Sequence, residues 1–519
     1  MAFLAKPKNA LLLLLAAYCV ARYRVALIFD NPVFGWRPTD MASIALNYAR
    51  GSMSFLHPQV SWGGSGPGYV EMEFPLVPYL TAILFKLFGF HEGLSLVVPL
   101  LSGFLLVWFT YLIGRRWFGA LEGLCAGLLV AVVPPFVMLT VTGMWADPPS
   151  VLATTAGLYY AYEWSESGRH RSLIAAAALL SLGALLKLTA LHVGLPVAYL
   201  LWRRLRGDVL KAPQTWLLGL GILLPNVAWY YYSYRVGVES GNTFGILAGG
   251  TMKFGSKSLY EDPAFYLNAL RRIALYHLTP VGTFGFVYGM RRLIAEPAPR
   301  NLFLLSWLAS VLVYSGVAAH GVHGGHYHYL LPFLPVAALV VGVGGAWLLR
   351  AAGPWLTRFA QRLGAPAAAL SALFVVGTAA NVAWSTDRFF RRDRHIDSTM
   401  WQQKKVTGML VKKLTRPGAL IIVVDVQNRV KEKSMSPPDV FYFGDRKGWY
   451  EAVHWLTWES IESLRGQGAE YLIVSGQSVE DFREHQPRVY ESLKQTYTSV
   501  LDDETGIVFD LRGHGGGKT

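Results

Sequence analysis

Charge and sulfur are both scarce in this 519-residue chain. Charged residues make up 15% of it, against roughly 25% in soluble domains. Its two cysteines, Cys19 and Cys125, each sit inside an apolar run far from the other, which excludes a disulfide framework and a CxxC metal or redox site. No GK[ST] follows the glycine-rich stretch 64–68, so it is not a phosphate-cradling P-loop, and no HExxH accompanies the histidines. What is abundant is apolar: 53% hydrophobic and 13% aromatic residues, the composition of a polytopic membrane protein. The N-terminal MAFLAKPKNALLLLLAAYCVA starts basic and turns apolar like a signal peptide. It lacks a small-x-small cleavage site before Arg22 and reads as an uncleaved anchor.

The net charge of +14 is not a nucleic-acid signature, because it is spread over membrane loops. The chain before Asp387 holds 27 of the 47 basic residues but only 14 of the 33 acids. Apolar segments at about 9–29, 94–113, 119–138, 148–164, 172–187, 188–202, 214–234, 272–290, 302–319, 329–349 and 365–385 predict eleven spans. Basic clusters recur in every second loop: Arg115/Arg116, Arg169/Arg171, Arg203/Arg204/Arg206/Lys211, Arg291/Arg292/Arg300 and Arg350/Arg358/Arg362. By the positive-inside rule these loops, with Lys6 and Lys8, are cytoplasmic. The expectation is an inner-membrane protein with a cytoplasmic N-terminus, a transmembrane domain over 1–385 and a periplasmic C-terminal domain over 386–519.

That sidedness gives the outer face the loop 30–93, short loops near 139–147 and 320–328, and most of the acids. In GWRPTDMASIALNYARG (35–51), Asp40, Ser43, Asn47 and Arg50 recur at helical spacing opposite Met41, Ile44, Ala45 and Tyr48. The pattern predicts a helix lying in the membrane interface, N-capped by Thr39, with Asp40 in its first turn. FPLVPYLTAILFKLFGF (74–90) is too short to span between its prolines and Gly89 and reads as interfacial or re-entrant. GSGPG (64–68) reads as a flexible external loop able to close over a substrate.

The series Asp40, Glu73-Phe-Pro with PYLTAILFKLFG, GRRWFG at 114–119, Asp147-Pro, ALLKLTALHVGLP at 184–196 and HYHYLLPFLP at 326–335 resembles the GT-C membrane glycosyltransferases. Within them it is most similar to the protein O-mannosyltransferase and aminoarabinose transferase-like branch. The resemblance covers roughly residues 8–350 and implies an all-α polytopic fold. It also implies a polyprenyl-phosphate sugar donor, inverting transfer on the outer face, and a catalytic aspartate in the first external loop, the position of Asp40. One departure is Phe74, where the aminoarabinose transferases have a lysine directly after the second acid.

The chemistry agrees with such an assignment. A sugar phosphodiester leaves as a phosphomonoester and needs cations rather than an acid, so the remaining requirement is a base for the acceptor. Asp40 fits that role if Arg37 and the helix N-terminus keep it ionised. Glu73 is expected to position donor or acceptor, directly or through a divalent cation; Asp147 reads either as a second site acid or as the N-cap of its helix. Lys187, at the outer end of an apolar span, is expensive unless it meets a phosphate or an acid such as Asp147 or Glu73. The resemblance turns His326 and Tyr329 toward the lipid phosphate. Arg22 and Arg24 read as interface anchors or phosphate ligands. The histidine run 320–328 lacks the rigidity of a zinc site; no cofactor is indicated by the sequence, and a divalent cation stays open.

After Trp384 the charge becomes mixed, and strands at 419–425, 469–475 and a pair in 496–511 alternate with helices, predicting a small α/β domain. Its acids form no constellation in the sequence. The acceptor, whether lipid, glycan or protein, is not legible. The competing function is a transporter of lipid-linked saccharide, which would place charges through the span interiors and show an inverted repeat.

Overall fold

The computed structural model describes residues 6–27, 35–247, 254–323, 326–363, 367–393, 398–425 and 438–514. The membrane part opens with α1 (Pro7–Ala26), then α2 (Trp36–Arg50) and α3 (Leu76–Phe88) in the first loop. Next come α4 (Val97–Trp117), α5 (Ala120–Val132), α6 (Pro134–Val141), α7 (Asp147–Ser167), α8 (His170–Leu186), α9 (Gly194–Leu205) and α10 (Pro213–Ser240). Two short helices, α11 (Lys257–Glu261) and α12 (Pro263–Arg272), lead to α13 (Thr279–Ala295), α14 (Pro299–Val317), the single turn α15 (Ala319–His323), α16 (Phe333–Leu363) and α17 (Ala367–Arg388). Over its described residues, each of the eleven apolar segments is thus largely helical. Among the described residues four helices are by themselves long and apolar enough to cross a membrane, and the bent pair α5–α6 makes a fifth.

The α5–α6 bend of 57° follows from Pro134-Pro135, which supply no backbone donors and hold Val133 extended. The carbonyls freed at the end of α5 need a partner inside an apolar bundle. Arg22 of α1, 4% exposed, supplies it. Its Nη1 donates to Ala131 O at 2.7 Å, and its guanidinium lies 3.3 Å from the centre of the Tyr18 ring. Arg22 is therefore buried within the bundle rather than placed as an interface anchor, and its Nη1 caps a broken helix.

The C-terminal domain contains α18 (Ser398–Leu414), β1 (Leu420–Asp425), α19 (Asp439–Gly444), β2 (Lys447–Ala452), α20 (Trp458–Gly466), β3 (Ala469–Ser475), α21 (Val479–His485), α22 (Pro487–Thr496), β4 (Tyr497–Asp503) and β5 (Gly506–His514). The sheet order is β2-β1-β3-β5-β4, parallel across β2-β1-β3 and antiparallel across β3-β5-β4. The unbroken apolar run of β1 suits a central strand covered on both faces. Ile422, Val424, Leu472 and Val474 face α20–α22, whereas Ile421, Val423, Tyr471 and Ile473 face the other way. That second face shares one core with Met41, Ile44, Tyr48, Trp62 and Val77 of the first loop. Loop and C-terminal domain are packed as one body.

α2 departs from the expectation in two ways. It starts at Trp36, with Gly35 (φ +96°) before it, so Asp40 lies beyond the first turn and Thr39 is not the cap. The Thr39 hydroxyl instead bonds the carbonyl of Gly35 and Asp439 of α19. The polar stripe also does not meet lipid headgroups. The Ser43 and Ser61 hydroxyls are 2.8 Å apart, Asn47 donates to Gln59 O at 2.8 Å, and Arg50 pairs with Asp445. A helix that is amphipathic in sequence has here been covered on both sides by protein.

Candidate active site

Asp40 is 1% exposed. Its Oδ1 accepts a 2.9 Å hydrogen bond from Trp62 Nε1, and burial pushes its carboxyl up to about 8, against the lowering influence of Trp62 and Arg37. The expectation that Arg37 and the helix N-terminus keep it ionised is therefore corrected. Arg37 is engaged elsewhere, in an ion pair with Glu73, its guanidinium 4.1 Å from the Phe244 ring.

Trp62 is held over Asp40 by a tight hairpin rather than a free loop. Val60 N donates to Gly68 O at 2.8 Å, and Gly68 (φ +72°) approaches Val60 O so closely that a Cβ would sit 2.4 Å away. The tip docks on the C-terminal domain, with Gly64 N bonded to Gly448 O and Gly448 N to Ser61 O. The glycine-rich stretch thus clamps the lid of Asp40 to β2. The same domain brings Asp439 to the far side of α2, where its Oδ1 accepts from Thr39 and burial raises its carboxyl to about 6. Asp439 Oδ2 has no partner, and Asp439 lies close enough to Asp40 to disfavour its ionisation.

A second group surrounds the Arg37–Glu73 pair. Lys187 occupies the extended residue between α8 and the next turn, and its Nζ is 2.6 Å from Asp147 Oδ1. Asp147 is the first residue of α7, after the cap Ala146, and makes no capping bond; its carboxylate is spent on Lys187. Of the two readings of Lys187, the ion pair is realised. Asp147, Glu73 and Arg37 are within electrostatic reach of one another and of the half-buried Tyr329. His326 is exposed, with its ring 6.1 Å from that of Tyr329, and marks the edge of the group. Among the described residues no three His, Cys, Asp or Glu side chains group as a metal site.

The residues that the sequence singled out therefore fall into a sealed carboxylate and an adjoining charged cluster, joined through Arg37. Three participants were missed. Trp62 sits in a stretch whose glycines masked a structured hairpin, and Asp439 is 400 positions from its partner. Glu71, 1% exposed, accepts from Thr243, from Ile246 N and from Leu247 N at 2.5 Å, tying the segment after α10 to the first loop. An acid two residues before Glu73 was the available signal.

Comparison with known proteins bears on the fold. Residues 72–232 match the family model of dolichyl-phosphate-mannose-protein mannosyltransferase, a stretch below half of the chain. None of the curated protein sequences matches significantly. Among solved structures, ArnT from Cupriavidus metallidurans in the apo state superposes with a TM-score of 0.62 at 15% identity, over 96% of this chain and 97% of that one. The same values hold for ArnT bound to undecaprenyl phosphate. The archaeal oligosaccharyltransferase AglB from Archaeoglobus fulgidus, in complex with an inhibitory peptide and a dolichol-phosphate, matches at TM-score 0.50 and 12% identity, over 94% of this chain and 72% of that one. At these identities what is shared is the fold.

Proposed function

We propose that this chain, a membrane protein with the GT-C fold of ArnT and AglB, transfers a sugar from a polyprenyl-phosphate donor to an acceptor hydroxyl at the external membrane boundary, with Asp40 as the base. The observation that carries the reading is the sealed Asp40 carboxyl beside the Arg37, Glu73, Asp147 and Lys187 cluster, in a fold shared almost end to end with a protein solved with undecaprenyl phosphate. In the step, the acceptor oxygen attacks the anomeric carbon, the carbon–phosphate-oxygen bond breaks toward phosphate, and Asp40 takes the acceptor proton. Attack opposite the leaving group inverts the anomeric centre. Lys187 and Arg37 hold the charge that grows on the phosphate; Asp147 and Glu73 neutralise these two cations before the donor arrives. The acceptor is a lipid, glycan or protein hydroxyl.

The test is a lipid analysis of cells with and without the gene. Loss of the protein is expected to accumulate a polyprenyl-phosphate sugar, and purified protein in liposomes should release polyprenyl phosphate only when acceptor is present. An unchanged lipid pool, or movement of the saccharide across the membrane with its phosphodiester intact, refutes the transferase reading; the second result favours the transporter.

Two further outcomes follow. With Asp40 raised to about 8, the base form is the minor species at neutral pH, so kcat/KM is expected to rise with pH up to about 8 and to level off above it. A rate that is flat across that range removes Asp40 from proton abstraction. For sidedness, cysteines are best placed at the exposed Ser499 and Ser167, in a variant lacking Cys19 and Cys125. Ser499→Cys should react with an impermeant maleimide in intact spheroplasts, and Ser167→Cys only after lysis. The reverse pattern overturns the outer-face assignment.

A further inference from the structure

At the end of the helix bundle away from Asp40 lies a cleft of about 370 Å³, lined by Arg116, Trp117, Glu163, Glu166, Arg169 and Arg300 among others. It opens where α4 and α7 end and α14 begins. α7 starts at Asp147 in the charged cluster and ends here after 21 residues, about 30 Å at 1.5 Å per residue, which is the thickness of a bilayer's hydrocarbon core. α4 ends and α14 begins at the same cleft, and both are long and apolar enough to cross a membrane; read as spans, they put the cleft at the membrane boundary opposite the charged cluster, on the side of the basic loops.

Its charge is unbalanced in a specific way. Glu163 is neutralised by Arg116, at 2.7 Å, and Glu166 by Arg203. Among the described residues no carboxylate pairs with Arg169 or Arg300. Two buried donors in the lining, Trp117 Nε1 and Arg300 Nε, have no acceptor; Trp117 is 7% exposed. The Arg300 guanidinium rests 5.1 Å from the Phe118 ring, which holds it in place while leaving its Nε without an acceptor. A cleft with two unpaired arginines and a buried indole N–H, at the depth of lipid headgroups, is built for a group with several anionic oxygens.

We propose that this cleft binds the phosphate headgroup of an anionic phospholipid, of the phosphatidylglycerol or cardiolipin type. Arg169 and Arg300 supply the charge and the forked donors, and Trp117 supplies a neutral donor at the floor. The site is separate from the transfer site and does not depend on the reading of Asp40. A bound lipid would join α4, α7 and α14 at the end of the bundle where their loops are short and strongly basic.

The test uses the full chain in detergent, with cardiolipin, phosphatidylglycerol, phosphatidylcholine and inorganic phosphate as separate probes, read by native mass spectrometry and thermal unfolding. The two anionic lipids should bind and raise Tm, whereas phosphatidylcholine should do neither. Arg169→Gln, a change at an exposed position, should weaken cardiolipin binding about tenfold, and adding Arg300→Gln should weaken it by about tenfold again. Trp117→Phe removes the indole N–H together with the five-membered ring and leaves a cavity beside Tyr162 and Phe303, so the Tm of this variant without lipid measures the packing loss and its cardiolipin affinity measures the binding loss. Equal binding of cardiolipin by wild type and the Arg169→Gln/Arg300→Gln variant overturns the site. A Tm rise with inorganic phosphate equal to that with lipid overturns the lipid assignment and leaves a pocket for soluble anions.

Discussion

Asp40→Asn is expected to reduce sugar transfer by about 10²–10⁴-fold, the usual contribution of a general base, without loss of folding. Asn keeps the oxygen that accepts from Trp62 Nε1 at 2.9 Å, so the lid stays seated and only the proton-accepting capacity is removed. Stability provides a second readout with a definite sign. The folded carboxyl, at about 8, lies above the unfolded value of about 3.9. The stability it contributes is therefore fully present below the unfolded value and is lost as pH rises through about 8. Asn imitates the protonated form at every pH. The variant should melt like wild type below about pH 4 and increasingly above it as pH rises from about 4 to about 8, the gap staying constant beyond that. A variant that keeps more than about a tenth of the wild-type rate would exclude Asp40 as the base, since even the low end of the expected effect is larger.

Lys187→Ala is expected to have the second large effect, in stability and in donor binding together. Lys187 Nζ is 2.6 Å from Asp147, whose side chain is 4% exposed. Removing the cation strands a buried carboxylate, which costs about 3–5 kcal/mol. Replacing both partners, as in Asp147→Asn with Lys187→Met, removes the stranded charge and should return the melting temperature close to wild type. The double variant separates the two roles. If Lys187 also holds the donor phosphate, donor affinity stays low although the fold is restored. Recovery of both stability and donor turnover would reduce Lys187 to a structural partner of Asp147.

Site and fold were legible to different degrees, and the particular residues explain why. The segment 74–90 reads correctly as a short helix, because two prolines and Gly89 bound it locally, and α3 occupies Leu76–Phe88. β1 and β3 were readable because LIIVVD and AEYLIVS carry strand propensity in six or seven residues. The helical stretch between β3 and β4 is divided at Pro487, which starts α22 after α21 ends at His485. Asp40, Glu73, Asp147, Lys187, Arg37 and Tyr329 do converge, but who partners whom was not readable. Arg37 serves Glu73 rather than Asp40, and Asp147 serves Lys187 rather than its own helix end.

By itself the sequence determined the membrane class, the positions of the apolar helices, the alternation of basic loops and the strands of the C-terminal domain. All of these are set by the period and charge of neighbouring residues, which act over a few turns of chain. Only the tertiary structure decided that Asp40 is sealed under Trp62, that a hairpin of glycines is fastened to β2, and that Asp439 reaches α2 from 400 positions away. The state of a carboxyl depends on how much water is removed from it and which charges lie nearby. Those neighbours come from the first loop and the last domain folded over a single core, an arrangement that no local stretch of the chain encodes.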